Sequence, residues 1–366
     1  MSAVSQGRQA AFARATGLPP AGPRGMTLVE LMIGLAIGLF MTAVMGTIYV
    51  GSKTTFQSQE SISRIQENGR FAVDMIGADL RMSGFRGCLG QSTTTPFVNT
   101  LNSATDGRYN YAQPVFGSRH VSGAWSPALD ANLTAGLTAA GATPSTTSDV
   151  LVVRRPVGNG WSLTAGMTNG NSALSITANA MFAQGDILMV ADCAGAAVLQ
   201  ATNATPGTAG SIQHVNGTAG VSPGVSTNSL GRAYLQDAVL WRMQTLVYAI
   251  APSARRSGQL ALWQAAMPSY GGPAAQELVT GVERMALTFG EDTNGDQSAD
   301  QFHTAQNVSN WAQVTSARIE LLLAGPDGAI TTAPQPYVFN GTTTTPTDRR
   351  MRTVMSTTIS LRNATP

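Results

Sequence analysis

The hydrophobic pattern begins with one long apolar stretch near the start of the chain. Residues 26–50 contain a single charge, Glu30, and no proline. At about 1.5 Å of rise per residue, a helix of this length crosses a hydrocarbon layer about 30 Å thick. Over residues 51–84, apolar positions instead recur at spacings of three and four, which is typical of an amphipathic helix, and Gly84 is a natural end for it. The pattern therefore predicts one continuous helix, with a transmembrane half followed by an amphipathic half.

Strand patterns dominate residues 85–366, which we predict to form a β-rich globular domain. Short apolar runs, and runs that alternate apolar with polar residues, are typical of buried and half-buried strands. Such runs lie at residues 149–153, 185–193, 239–250, 259–263, 285–289, 319–323 and 355–361. Two stretches rich in Thr, Ser, Asn, Ala and Gly, residues 91–148 and 201–229, predict loop insertions with short strands at most. The predicted fold class is α+β, with the long N-terminal helix packed on an antiparallel β-sheet.

Charge is sparse and adds an orientation to this picture. Charged residues make up 11% of the chain, and the formal net charge is +2. Arg8, Arg14 and Arg24 precede the apolar stretch. Basic residues on that side predict a cytoplasmic N-terminus, with the residues after position 50 beyond the membrane. The rest of the chain is close to neutral, so we expect no nucleic-acid partner.

Glu30 is the residue that conflicts with a lipid environment. A lone carboxylate in a membrane helix costs about 2.5–3.5 kcal/mol on insertion scales. If the chain were cut between Gly25 and Met26, the new α-amino group of a neighbouring, staggered copy could pair with this carboxylate. An ordinary secretory signal peptide is disfavoured, because the apolar stretch exceeds the usual length of about 7–15 residues. A plain signal anchor explains the length but leaves Glu30 unexplained.

Small residues recur at every fourth position of the same stretch. They are Gly34, Gly38, Thr42 and Gly46. Small residues at this spacing let membrane helices approach closely, which predicts a packing face for another helix. The alternative is that glycine is merely common in membrane helices.

The start of the apolar stretch resembles a known processing signal. A basic leader over residues 1–25 is followed by Met-Thr-Leu-Val-Glu, and this arrangement resembles the class III signal of type IV prepilins, although the leader is longer than is usual there. Further stretches resemble the PilW family of type IV pilus assembly proteins, and the resemblance is weak in the two predicted loop insertions. These stretches are residues 84–88, 186–193, 277–283, 314–323 and 349–363.

The resemblance implies a minor pilin, a structural subunit with a pilin-like fold. A prepilin peptidase would cut between Gly25 and Met26, Met26 would be N-methylated, and Glu30 would be the carboxylate that guides assembly. The protein would cross the inner membrane once before assembly and belong to the pilus at the cell surface afterwards. Its partners would be the peptidase, the major pilin, other minor pilins and a tip adhesin, in a complex that primes polymerisation.

Two other functions remain open on the sequence. A pseudopilin of type II secretion shares the signal and the helix, and it would be needed for secretion instead of pili. An adhesin would bind a surface ligand directly through the loop insertions at residues 91–148 and 201–229, without partners.

The chain has two cysteines, Cys88 and Cys193. Outside the cytoplasm this number favours one disulfide, and the alternative of a metal pair lacks further ligands. The three histidines, at positions 120, 214 and 303, lie in polar stretches without a fixed spacing to a nucleophile or carboxylate. We therefore expect no enzymatic activity and no required cofactor.

An acidic stretch offers a possible Ca²⁺ site. Oxygen-bearing side chains alternate along it, as hard cations require, at Asp292, Asn294, Asp296, Ser298 and Asp300. The EF-hand pattern is incomplete, because Gln297 stands where its glycine belongs and His303 stands at its twelfth position. A solvated turn built on Asp and Asn side chains is the alternative interpretation.

Overall fold

The computed structural model describes residues 25–89, 96–179, 181–325, 331 and 333–363, so residues 1–24 of the predicted leader lie outside it. The chain forms two units that divide after Phe56. The helices are α1 (Leu28–Met82), α2 (Ala131–Ala139) and α3 (Pro206–Ala209), with short 3₁₀ turns at Ala305–Asn307 and Trp311–Gln313. The strands are β1 (Phe97–Asn99), β2 (Val115–Val121), β3 (Ala124–Ser126), β4 (Val150–Ala165), β5 (Leu174–Ile176), β6 (Ile187–Asp192), β7 (Gly195–Gln200), β8 (Ser211–Ile212), β9 (Val239–Pro252), β10 (Leu260–Met267), β11 (Ala275–Thr280), β12 (Val282–Glu291), β13 (Gln301–Thr304), β14 (Val314–Ala324), β15 (Tyr337–Phe339), β16 (Thr342–Thr344) and β17 (Arg352–Ser360).

The first unit consists of the N-terminal part of α1. Residues 25–56 are all exposed, including the large apolar side chains. An 18-residue window of α1 has a mean hydropathy of 2.2, and α1 is the one helix in the described part of the chain that is long and apolar enough to cross a membrane. This part is therefore compatible with a membrane anchor. The orientation predicted from the leader arginines stays a prediction.

The second unit contains two sheets. The larger sheet has eleven strands in the main order β1-β7-β6-β9-β4-β2-β3, with β10 and β11 continuing from β9 and with β5 and β8 continuing from β4. Its pairs are antiparallel except for β1 with β7, which is parallel. The smaller sheet is antiparallel, in the order β13-β12-β14-β17, and β15 pairs with β16 as a separate hairpin.

The two sheets meet where the chain enters β4. The Asp149 N–H donates to the Met285 carbonyl at 2.9 Å, and the Leu287 N–H of β12 donates to the Asp149 carboxylate at 2.8 Å. Arg119 of β2 holds the same carboxylate through two nitrogens, at 2.8 and 2.7 Å. These bonds satisfy a stretch of β12 that β13 does not pair, and they join the sheets around one core.

The amphipathic part of α1 in this second unit closes that core. Ile65, Ala72, Ile76 and Leu80 are at most 2% exposed and belong to one apolar cluster with residues of both sheets. Gly69 lies on the same face, where a Cβ would approach the Met355 sulfur to 2.1 Å, so a larger residue here would have to displace the Met355 side chain.

The end of α1 agrees with the sequence pattern. The helix ends at Met82, and Gly84 has a φ of 68°, the left-handed conformation that glycine adopts without strain. The Asn363 side-chain amide donates to the Arg81 carbonyl at 2.9 Å. The far end of the chain therefore satisfies a carbonyl that the helix leaves unpaired.

A polar cluster ties α1 to the larger sheet. Asp79 of α1 is 8% exposed, and its carboxylate lies 2.5 Å from Arg155 Nε of β4. The buried Tyr248 hydroxyl of β9 also contacts this carboxylate, and Gln264 of β10 donates to the Tyr248 oxygen at 2.6 Å. The Asp79 carboxylate and the Tyr248 hydroxyl therefore both have polar partners, as burial requires.

The helix and the strand-rich domain are present as predicted, but the single antiparallel sheet was too simple. The structure has a larger sheet and a smaller antiparallel one. The larger sheet is mixed, because β1 pairs with β7 in parallel after a long connection. Alternating patterns show that a strand has a buried face, but they do not say which sheet it joins.

The predicted loop at residues 91–148 was also too simple. It contains β1, β2, β3 and the helix α2, whose Asp130 side chain accepts from the Asn132 N–H at 2.8 Å as an N-cap. Leu133 and Leu137 bury its inner face. In this Thr- and Ala-rich stretch only the two leucines mark a helix face, and this periodic signal is too weak to predict a helix.

The second predicted loop, residues 201–229, is mostly irregular, with only α3 and β8 in it. Side-chain amides organise it: Gln200 donates to the Ser222 carbonyl at 2.8 Å and accepts from the Gly224 N–H at 2.7 Å. The Asn102 side chain donates to the Pro223 carbonyl at 2.9 Å. Side chains from outside the loop, at the end of β7 and after β1, therefore hold its turn at residues 222–224 in place.

Candidate assembly site at the start of the helix

Thr27 and Glu30 form a capping box at the start of α1. The Thr27 N–H and hydroxyl both donate to Glu30 Oε2, at 3.1 and 3.2 Å. In return, the Glu30 N–H donates to the Thr27 hydroxyl oxygen at 3.2 Å. The pattern Thr-x-x-Glu at a helix start is the sequence signature of this arrangement, which the prediction of an interchain partner for Glu30 overlooked.

The capping box changes what Glu30 can do. Its carboxylate is held over the first turn of the helix, where unpaired N–H groups and the helix dipole favour negative charge. The predicted cleavage junction, Gly25–Met26, directly precedes this turn and is exposed. The described residues therefore place an accessible peptide bond, a polar cap and one carboxylate within six consecutive positions. Cleavage and N-methylation of Met26 stay predictions.

One face of the same helix is lined by small residues. A Cβ added at Gly34 or Gly38 would have no atom within 4 Å, so the surface at both glycines is open in this chain. Thr42 turns its hydroxyl inward and donates to the Gly38 carbonyl at 2.8 Å. This leaves its methyl group for packing. The predicted approach of another helix along this face stays a prediction.

Cys88 and Cys193 form a disulfide, with their Cα atoms 5.1 Å apart. The bond joins the segment after α1 to the turn between β6 and β7. Phe85 packs edge-on against Trp241 with ring centroids 5.5 Å apart, next to this junction in sequence. The Arg86 guanidinium lies 3.9 Å over the Phe97 ring, and burial lowers the pKa of Arg86 to about 10, so the side chain stays charged at neutral pH.

The acidic stretch forms a compact turn between β12 and β13. Asp292 accepts from the N–H groups of Gly295 at 2.6 Å and Gln297 at 2.8 Å. Asp300 accepts from the Thr293 hydroxyl at 2.8 Å and from its N–H at 2.7 Å, and these bonds lower the pKa of Asp300. Such bonds are those of a turn built on Asp and Asn side chains, which is the alternative interpretation.

The other members of the predicted cation set, Asn294, Asp296 and Ser298, take part in the same turn. The Asp296 N–H donates to the Asn294 side-chain oxygen at 2.8 Å, and the Ser298 N–H donates to Asp296 at 2.9 Å. Among the residues that the structure describes, no group of three or more His, Cys, Asp or Glu side chains is arranged to hold a metal ion. The Ca²⁺ hypothesis stays a prediction.

The three histidines lie on separate elements. His120 of β2 packs against Trp125 with ring centroids 5.3 Å apart, and His303 belongs to β13. His214 follows β8, and its Nε2 lies 3.0 Å from the Ser172 carbonyl; burial lowers the pKa of His214. None of these contacts is to a nucleophile. The absence of enzymatic activity stays an expectation.

A polar cavity of about 230 Å³ lies in the second unit, beside the amphipathic part of α1. Arg64 and Asn68 of α1 line one side, and Arg255 and Arg256 from the turn between β9 and β10 line another. We call it the basic cavity, because its lining, among the residues that the structure describes, has three arginines and no Asp or Glu. The sequence pattern alone marks this turn only as a connection between two strands.

Comparison with known proteins finds a family model that matches part of the chain. Residues 247–363 match the model of the family described as type IV pilus-assembly protein W. The matched region begins within β9 and ends at Asn363, whose side chain caps the end of α1. No curated protein and no solved structure matches the chain.

Proposed function

We propose that the chain is a minor pilin, because residues 247–363 match the model of the type IV pilus-assembly protein W family. In this role it helps to prime pilus polymerisation and forms part of the complex at the pilus tip. The family match is the observation that carries the proposal. The apolar helix with its capping box supports it, because a pilus subunit needs a membrane anchor before assembly and a packing helix afterwards.

The proposal gives each predicted partner a place on the chain. A prepilin peptidase would recognise the exposed Gly25–Met26 junction, and the new Met26 amine would be N-methylated. The major pilin and other minor pilins would pack on the face of Gly34 and Gly38. The globular domain would lie in the periplasm before assembly and at the cell surface afterwards, near a tip adhesin.

Processing is the first test of this role. Mass spectrometry of the protein from its native membrane should find an N-methylated Met26 as the first residue. Gly25→Val should leave the full-length protein in the membrane, because a side chain before the cut collides with the peptidase site. Normal maturation of this variant would contradict the prepilin assignment.

A second test separates the charge of Glu30 from its role in the capping box, which removal of the whole side chain would not do. Glu30→Gln removes the charge but keeps an acceptor at a position where Gln also completes a capping box. Thr27→Val removes the hydroxyl and weakens the cap, which costs about 0.5–2 kcal/mol, but it keeps the carboxylate. If the charge of Glu30 guides assembly, Glu30→Gln reduces co-purification with pilus subunits, whereas Thr27→Val retains most of it.

If Thr27→Val instead reduces co-purification and Glu30→Gln retains it, Glu30 acts in helix capping alone. Both variants should insert into the membrane, be cleaved and keep the disulfide, which gel mobility and thiol alkylation report. Equal and complete assembly of both variants would show that neither role matters for incorporation.

The alternatives make different predictions in the same strains. A pseudopilin would be required for type II secretion and would be absent from sheared pili. A direct adhesin would bind its surface ligand as a purified chain, through the segments at residues 91–148 and 201–229. A deletion strain that lacks pili but secretes normally, together with the protein in sheared fibres, supports the minor pilin.

A further inference from the structure

The basic cavity is built from two parts of the chain that are far apart in sequence. Asn68 of α1 donates to the Thr280 carbonyl at 3.2 Å, so the helix side of the cavity is fixed to the end of β11. On the other side, the Arg255 guanidinium donates to the Glu277 carbonyl at 3.0 Å. The walls are therefore held by hydrogen bonds and do not depend on an occupant.

The charge of the cavity is positive. Of the carboxylates bonded to its walls, Glu60 pairs with Arg64 at 2.6 Å. Glu277 points into the adjoining turn, where it accepts from the Ser253 hydroxyl at 2.8 Å and from the Ala254 N–H at 2.7 Å. Among the described residues, three guanidinium groups thus stand against two carboxylates bonded to the walls, and neither carboxylate belongs to the cavity lining. Arg255 and Arg256 are exposed, so they are accessible to a partner.

The lining is not purely polar, and this narrows the choice of occupant. Ile65, Leu278 and Leu323 also line the cavity. Apolar side chains beside guanidinium groups suit a carboxylate carried on a side-chain stem better than a hydrated inorganic anion. Arginine is the residue that binds carboxylates through two parallel hydrogen bonds, and it is enriched in protein interfaces.

We propose that the basic cavity is a docking site for an Asp or Glu side chain of another pilus subunit. This inference rests on the proposed function, since the family match is what makes other pilus components the partners of this chain. The site lies on the amphipathic part of α1 and the turn between β9 and β10, outside the capping box and the small-residue face. It therefore gives the globular domain a contact of its own, which sets the choice of neighbour by charge.

The first experiment reverses one charge in the cavity. The full chain is tagged, expressed with the pilus subunits of its host and purified in detergent, and co-purified subunits are counted by mass spectrometry. Arg256→Glu should lower the co-purified amount of one subunit by about tenfold or more, because a like charge opposite a carboxylate costs more than about 1.4 kcal/mol. Arg70→Glu is the control for a charge reversal outside the cavity, because Arg70 lies on α1 beyond Arg64 and Asn68, has 85% of its side chain exposed and does not line the cavity.

The second experiment identifies the contact. In an Arg256→Lys variant, a zero-length carbodiimide should couple the introduced lysine to an Asp or Glu of another pilus subunit, and Arg70→Lys should give no such product. Coupling only within the chain or only to phospholipid would overturn the inference, as would full co-purification of Arg256→Glu. If the unaltered chain co-purifies with no pilus subunit at all, the proposed function fails instead.

Discussion

The cluster around Asp79 gives a quantitative prediction about how α1 is attached to the larger sheet. Asp79 binds Arg155 and the buried Tyr248 hydroxyl, and Gln264 completes the cluster. Burial, with the adjacent Asp79 charge as the next cause, raises the pKa of Tyr248 well above its ordinary value. The hydroxyl therefore stays protonated and donates to the carboxylate throughout the accessible pH range.

The expected magnitudes follow from what each substitution leaves behind. Asp79→Ala leaves Arg155 without its carboxylate, and breaking a buried pair in this way costs about 3–5 kcal/mol. We expect the lower part of that range, because 22% of the Arg155 side chain is exposed. Tyr248→Phe removes one hydrogen bond to a charged group, which costs about 1.5–3 kcal/mol.

The double variant tests whether these groups act as one cluster. Once Asp79 is absent, removal of the Tyr248 hydroxyl should cost less than about 1 kcal/mol more, so the two changes should be coupled by about 0.5 kcal/mol or more. Urea unfolding of the full chain in detergent, followed by tryptophan fluorescence, measures each free energy of unfolding. Asp74→Ala is the control, because its pair with Arg70 on the same helix is exposed and contributes less than about 1 kcal/mol. Additive losses in the double variant would refute the coupled cluster.

Three further predictions concern the second unit. Reduction of the Cys88–Cys193 bond, which closes a sequence separation of 105 residues, should lower the melting temperature, since the chain-entropy model assigns such a loop about 4–5 kcal/mol; an unchanged melting temperature with both thiols alkylated would contradict this. The Arg352 hydrogen bond lowers the pKa of Asp348 to about 2, so the stabilisation by Asp348 is present above the unfolded-state value of about 3.9 and is lost as the pH falls toward 2. The melting difference between Asp348→Asn and the unaltered chain should therefore shrink between pH 5 and pH 3, and a constant difference would exclude this carboxyl as its source. Because backbone and side-chain hydrogen bonds occupy the carboxylates of the turn at residues 292–300, we expect equal melting temperatures in Ca²⁺ and in chelator, and a Ca²⁺-dependent rise would instead support the cation site.

Sequence patterns predicted the features that depend on local spacing. The apolar stretch and the spacing of three and four residues after it predicted α1, because a helix brings residues three and four apart onto one face. Gly84 predicted where α1 ends. In the last third of the chain, alternation of apolar and polar residues predicted β12, β14 and β17, because successive side chains of a strand point to opposite faces of the sheet. The family resemblance quoted for residues 277–283, 314–323 and 349–363 falls within the matched region.

Other features needed more than periodicity. β7 is an alanine-rich strand whose residues are all buried, so it shows no alternation. Its partner β6 ends at Asp192, and Cys193 lies in the turn, not within a strand as the apolar run at residues 185–193 predicted. The capping box of Thr27 and Glu30 was readable from the sequence, but the predicted partner of Glu30 lay in another chain and not three residues back.

The sequence by itself determined where the chain can enter a membrane, which residues begin and end its long helix, and which strands have a buried face. These properties depend on neighbours within about one or two turns, or on the single choice of an inward or outward face. Only the tertiary structure decided that the strands divide into two sheets, that Asp79 meets Arg155 and Tyr248, and that Arg64 and Arg256 share one cavity. Those groups are separated by tens to hundreds of residues, and no local preference encodes their contact. Their positions follow from how one common core is closed by α1 and both sheets.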